Sequence, residues 1–258
     1  MFDLGKSVLA AAFVALSSLP SLAATVSVTG VTGSWFSPTP PDVEGLTGLG
    51  TSTMAWGTPA SANGAKSAYG FTGNAVGAVE TDIAFDLGVF THFNNPILTT
   101  PAGRSSITSA QLTVSINLDL GDGSGAKQIT TVFDFLHWET RNRPVSGNIC
   151  ANGGRYGQGI NDRGCADRVT LVRNDSLSTE FEINGVTYEL DITGFLFQGD
   201  LLSEFWTRER ATNSAVLRGI LRAVDTGEPP PAPIPLPAAG WLLLAGVGAL
   251  GLTRRRRR

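Results

Sequence analysis

Between residues 111 and 119 apolar and polar side chains alternate strictly, Leu112, Val114, Ile116 and Leu118 against Gln111, Thr113, Ser115, Asn117 and Asp119. Period two is the pattern of a strand with one face buried. The run ends in Gly121-Asp122-Gly123-Ser124-Gly125, a turn, and residues 129–138 read as a second strand, so a hairpin is predicted. A sharper hairpin spans residues 179–192. Asn184-Gly185 suits a two-residue type I′ turn, because both positions tolerate positive φ. That turn sets Ile183 opposite Val186, Phe181 opposite Tyr188 and Thr179 opposite Leu190 on one face, with Glu180, Glu182, Thr187 and Glu189 on the other. Residues 169–173 predict a short strand. Residues 215–224 are ambiguous: Val216, Ile220 and Val224 suit a helix, whereas Gly219 and the surroundings favour a strand. Residues 201–210 read as one or two helical turns.

Glycine is abundant (31 of 258 residues), turn signals recur, and helix-periodic runs are scarce. The expected fold is all-β, a single jelly-roll-like β-sandwich over residues 24–225, which a segment of that length can fill as one domain.

The two ends carry a different pattern. In residues 1–23, Lys6 precedes an apolar core at 8–16, Pro20 breaks it, and Ser21-Leu22-Ala23 places small residues at the −3 and −1 positions. This predicts a secretory signal helix cleaved after Ala23. At the other end, residues 226–237 form a proline-rich, extended spacer. An apolar stretch at 238–253 follows, short for a membrane span of roughly 20 residues. Arg254 to Arg258 then make a basic tail expected on the cytoplasmic side. The expectation is an exported domain with a short C-terminal transmembrane helix. Whether that anchor is retained or removed stays open.

Ile234-Pro235-Leu236-Pro237-Ala238, the apolar stretch and the terminal arginines together resemble the PEP-CTERM class of bacterial sorting signals, in its VPLPA variant, with Ile234 where Val is usual. The resemblance implies an exosortase-type membrane protease as partner, Pro235, Leu236, Pro237 and Ala238 as the sorting motif, and a Gram-negative cell surface or extracellular matrix as destination, often beside exopolysaccharide production.

A second resemblance covers roughly residues 25–224. Ser34-Trp35, Met54-Ala55-Trp56-Gly57-Thr58-Pro59, Ser67-Ala68-Tyr69-Gly70-Phe71 and Leu87-Gly88-Val89-Phe90-Thr91-His92-Phe93-Asn94 form a spaced series that looks like the THxN family of such proteins, similar to choice-of-anchor extracellular domains. Thr91, His92, Phe93 and Asn94 occupy the naming motif. Ala68 and Leu217-Arg218 depart mildly from the family pattern. The family has no established activity to carry over.

Charge and cysteines narrow the chemistry. The chain carries a formal net charge of −3, and losing the five terminal arginines lowers it to −8. An acidic surface argues against nucleic acid and against anionic polysaccharide held by charge alone, and is compatible with divalent cations or neutral glycans. The two cysteines, Cys150 and Cys165, predict a disulfide in an oxidising compartment. The alternative, a metal site, lacks partners in sequence, since His92 and His137 are far away and show no ligand spacing.

Four groups are candidates for chemistry. Thr91, His92 and Asn94 could bind a ligand, but a hydrogen-bonded corner between two strands is the favoured reading. His137-Trp138-Glu139, beside Arg141 and Asn142, could present a tryptophan to a sugar ring, and a core tryptophan at a strand end is favoured. Asp119 and Asp122 are the calcium candidates; their spacing does not fit an EF-hand loop, and a plain Asp-Gly turn is favoured. Glu180, Glu182, Glu189 and Asp191 read as a solvated face rather than a paired-carboxylate site. No Gly-x-Ser-x-Gly elbow occurs. The expected role is a non-enzymatic, structural or adhesive surface protein linked to exopolysaccharide or biofilm. A non-catalytic carbohydrate- or calcium-binding module is the alternative, and a secreted hydrolase ranks third.

Overall fold

The computed structural model describes residues 24–99, 104–121, 123, 125–172 and 179–224. The signal segment, the spacer, the sorting motif, the apolar stretch and the arginine tail lie outside the described residues.

The strands are β1 (Thr25–Thr39), β2 (Thr53–Trp56), β3 (Ser67–Gly73), β4 (Gly77–Glu80), β5 (Phe85–Asn94), β6 (Ser109–Asp119), β7 (Ala126–Trp138), β8 (Asp167–Val172), β9 (Phe181–Ile183), β10 (Val186–Phe197), β11 (Asp200–Leu202), β12 (Glu204–Thr207) and β13 (Ala211–Ala223). One 3₁₀ turn, Gly159–Asn161, interrupts them, and no α-helix occurs among the described residues. The described residues are therefore all-β. Six strands form one sheet in the order β12-β8-β7-β6-β1-β4. The second runs β11-β10-β13-β5-β3-β2, with β9 beside β10. All pairings between named strands are antiparallel.

The alternation predicted for residues 111–119 is β6, whose Ala110, Leu112, Val114, Ile116 and Leu118 are all buried. It pairs with β7 from Ser109↔Leu136 to Asp119↔Ala126. The inward row of β7 is Ile129, Thr131, Phe133, Phe135 and His137. Trp35 of β1 meets Tyr69 of β3 at 5.2 Å and Phe135 at 5.1 Å between ring centroids, and Phe90 of β5 stacks on Phe135 at 5.4 Å. These contacts join side chains from both sheets in one hydrophobic core. Each large side chain removed from water there contributes about 1.5–3 kcal/mol before ordering costs. The Phe71 ring lies against Gly33 of β1 and Gly88 of β5, and a Cβ on either would overlap ring atoms, so the close approach requires glycine.

The Asn184–Gly185 turn has φ of 52° and 81°, as the type I′ reading requires, and Val186↔Ile183 and Tyr188↔Phe181 pair as predicted. The Thr179–Leu190 rung does not form. Thr179 instead donates its N–H to Thr130 O, and the ladder ends at Phe181. Arg222 stands opposite Glu189 in the β10–β13 register. Asp191 departs from the solvated-face reading: it is buried, and Arg222 approaches it at 3.3 Å.

Two ambiguities resolve towards strand. Residues 215–223 belong to β13. Residues 201–210, expected to be helical, are β11 and β12 with a tight return between β12 and β13. Phe205 and Thr207 are buried while Glu204 and Trp206 are only partly so, a period-two alternation over a stretch too short to show its period in sequence.

Candidate functional site

The last four residues of β5 are Thr91, His92, Phe93 and Asn94. They form no corner. They continue the strand, with His92 and Asn94 pointing inward and fully buried. The reason lies in the neighbours: β13 pairs with β5 as far as Ala211↔Asn94, and β3 as far as Ala68↔Phe93, so the ladder holds the motif extended until Asn95-Pro96 ends it. The hydrogen-bonding role expected of the motif is present, but it crosses between sheets. His92 Nδ1 lies 2.9 Å from Thr207 Oγ1 of β12, and Asn94 Nδ2 donates to Thr207 O at 3.2 Å. Thr207 Oγ1 donates its proton to Asp167 O at 3.2 Å, so His92 Nδ1 must carry a hydrogen and donate to that hydroxyl. His92 is therefore the Nδ1–H tautomer, with Nε2 bare. That nitrogen and Asn94 Oδ1 have no hydrogen-bond partner. Burial, and then the neighbouring His137, hold the His92 pKa well below the usual histidine range. Thr91 faces the other way and bonds Ser214 at 3.0 Å.

His137 comes from the opposite sheet. It occupies the inward row of β7 one step beyond Phe135, which places its ring 5.3 Å from that of His92. Two histidines remote in sequence thus meet at one end of the core, boxed by Trp56 and Tyr69. His137 Nδ1 lies 2.6 Å from Tyr69 Oη, and Nε2 lies 3.3 Å from Glu139 Oε2. Glu139 also accepts from Ser106 Oγ at 3.0 Å, and Ser106 in turn accepts from Trp56 Nε1 at 3.1 Å.

Behind Glu139 sit two carboxylates that the sequence reading did not single out. Asp167, the first residue of β8, is fully buried. Its Oδ1 accepts the Thr140 N–H at 2.6 Å, while Oδ2 has no partner. Glu209, in the return between β12 and β13, is also fully buried, and neither oxygen meets a donor at hydrogen-bonding geometry. Burial, then Glu139 and Glu209, push the Asp167 pKa well above the carboxylate range. Burial, then Glu139, push Glu209 up to about 7. Burial, then Asp167 and Glu139, raise Tyr69, so its hydroxyl stays neutral. One donor atom each from His137, Glu139 and Asp167 lies within 4.8 Å of the others, the only such grouping of metal-ligand type among the described residues. A cleft of about 780 Å³ reaches this cluster from outside through His137, Glu139, Thr140, Asn142 and Arg210. A second cleft of about 820 Å³ lies near Val79 and Phe85, where Asp86 and Arg218 already satisfy each other at 2.8 Å.

Trp138 was expected in the core and is not there. Since Phe133, Phe135 and His137 face inward, Trp138 must face out, and it is 43% exposed. The register sets it beside Arg168 of β8, and Arg168 beside Trp206 of β12. The guanidinium lies 4.9 Å from the Trp138 ring and 5.8 Å from Trp206, and the two indoles are 6.0 Å apart. Leu136, one rung along the same face, is also exposed. The result is an aromatic and cationic row on the outer face of the six-stranded sheet, with the two indoles tilted 56° to each other.

Cys150 and Cys165 form the predicted disulfide, with Cα atoms 5.4 Å apart. Inside its loop the amides of Asn152 and Asn161 bond each other reciprocally at 3.1 and 2.9 Å, and Asn161 Oδ1 accepts from Ala166 N. Cys165 O accepts from Thr140 Oγ1 at 2.9 Å, so the loop fixes the chain two residues before Asp167. Asp119 Oδ1 accepts the Gly121 N–H at 3.0 Å, which fits a plain turn; Asp122 lies outside the described residues. No protein-family model matches the chain, and no curated protein is significantly similar to it in sequence.

Proposed function

We propose that this chain is an exported, sorted surface or matrix module, a single jelly-roll-like β-sandwich, whose adhesive role is to hold neutral extracellular polysaccharide. The observation that carries the reading is the exposed Trp138–Arg168–Trp206 row. Indole faces on the outside of a sheet offer apolar area to the C–H faces of sugar rings, and an intervening guanidinium and Glu204 offer directional hydrogen bonds. The net charge of the exported part favours uncharged glycans over anionic ones. Export is supported by the signal-like residues 1–23 and by a disulfide, which persists in an oxidising compartment. The sorting motif at 235–238, the short apolar stretch and the basic tail support removal by an exosortase-type protease.

Indole fluorescence of the mature protein, titrated with neutral and anionic exopolysaccharides, tests the reading. Saturable quenching by a neutral polymer is expected, with affinity lower by about tenfold in Trp138→Ala and in Trp206→Ala. No binding across the panel, or binding indifferent to both substitutions, refutes it. Intact mass of the protein from its native surface tests sorting, and a mass that keeps the five arginines counts against release. A hydrolytic role draws its support from the cleft at His137 and Glu139, where titratable groups converge. Turnover of the same polymers by wild type and its loss in Glu139→Gln would favour it.

A further inference from the structure

We propose that His137, Glu139 and Asp167 bind one divalent transition-metal ion of the zinc type at the inner end of the cleft. Two donors about 2.0–2.1 Å from a shared tetrahedral ion stand about 3.3 Å apart. His137 Nε2 and Glu139 Oε2 are 3.3 Å apart. Asp167 completes the set from within 4.8 Å of both, and its buried Oδ2 has no partner in the protein.

Each ligand is already held by an atom other than the one it offers, or by a second neighbour. Tyr69 Oη takes His137 Nδ1 at 2.6 Å, which leaves the Nε2 lone pair free for the ion; such an outer partner is the usual support of a metal-binding imidazole. Ser106 orients Glu139, and the Thr140 N–H fixes Asp167 through Oδ1. Glu209 lies behind Asp167, with both of its oxygens buried. Burying carboxylates together is costly unless their charge is compensated, and an ion at this place relieves that cost. The donor set selects the metal class. Imidazole with carboxylates suits zinc and its first-row neighbours, whereas calcium takes six to eight oxygens and no nitrogen. The competing occupant is a proton shared by Asp167 and Glu209.

The test uses the mature protein without a histidine tag, stripped with chelator. Calorimetry with zinc chloride is expected to give one ion per chain. The Tm should rise by about 5 °C or more at a hundredfold excess over Kd. Cobalt chloride should develop the visible bands of a low-coordinate site in the wild type, a readout that needs no variant. Glu139→Gln, isosteric and at the cleft edge, should keep the wild-type circular dichroism and weaken zinc at least about tenfold. The proposal is overturned if the wild type binds no zinc, or if cobalt keeps its aquo-ion spectrum. It is equally overturned if Glu139→Gln and His137→Gln both bind as tightly as wild type, or if calcium gives the larger Tm rise.

Discussion

The two halves of the core are built on the same strands and solve burial in opposite ways. On β7 the inward row passes from Phe133 and Phe135 to His137, and on β5 from Phe90 to His92 and Asn94. In the aromatic half packing dominates, and Trp35, Phe90, Phe135 and Phe195 provide it for one another, with the Trp35 indole N–H left as an unpartnered donor. In the polar half the same depth of burial leaves His92 Nε2, Asn94 Oδ1, Asp167 Oδ2 and both Glu209 oxygens without partners. Stability in the first half depends chiefly on packing among rings that do not titrate. In the second it depends on protonation and on what the solution supplies.

The largest effect expected on that contrast is from Phe135→Ala. It opens a cavity among rings from both sheets and should cost about 3–5 kcal/mol in denaturant unfolding, with little dependence on pH between about 5 and 8. A strong pH dependence of that loss would break the distinction between the halves. Next is replacement of both Cys150 and Cys165 by Ser. Releasing the loop should cost roughly 3 kcal/mol without abolishing the β spectrum, and an unchanged melting curve would show that the bridge constrains nothing. The smallest is Glu209→Gln in chelator-treated protein. The Glu209 pKa is raised from 4.5 to about 7, so the folded state holds a proton that the unfolded state releases. The stability this gives is full below about 4.5 and is lost as pH rises through about 7. The Gln variant should therefore lose less stability than wild type across that interval. Identical pH profiles would mean that Glu209 is not shielded as its burial implies.

The hairpin at Asn184-Gly185 was legible because one dipeptide demands positive φ twice and the flanking faces separate cleanly. The β6–β7 pair was legible from its strict alternation. Trp138 was also readable in principle: the phase of Phe133 and Phe135 already puts residue 138 outside, but the indole's size argued for the core. Residues 201–210 misled because Leu201, Leu202 and Phe205 match a helical spacing as well as two short strands. Thr-His-x-Asn looked like a turn because Asn95-Pro96 ends the strand immediately after it. Asp167 and Glu209 left no local signal. Their role arises only where β8 and the β12–β13 return come beside β7, a juxtaposition set by sheet order rather than by any spacing along the chain.

The last strand among the described residues is not at an edge. β13 lies between β10 and β5, and its partners on the β5 side are more than a hundred residues earlier. A nascent chain that stops short of residue 211 therefore has two open strand edges and a split second sheet. Completion waits for long-range closure, which is slow. Such a delay keeps residues 24–210 threadable until β13 has been synthesised, so in this molecule the timing of folding is written into the position of one strand.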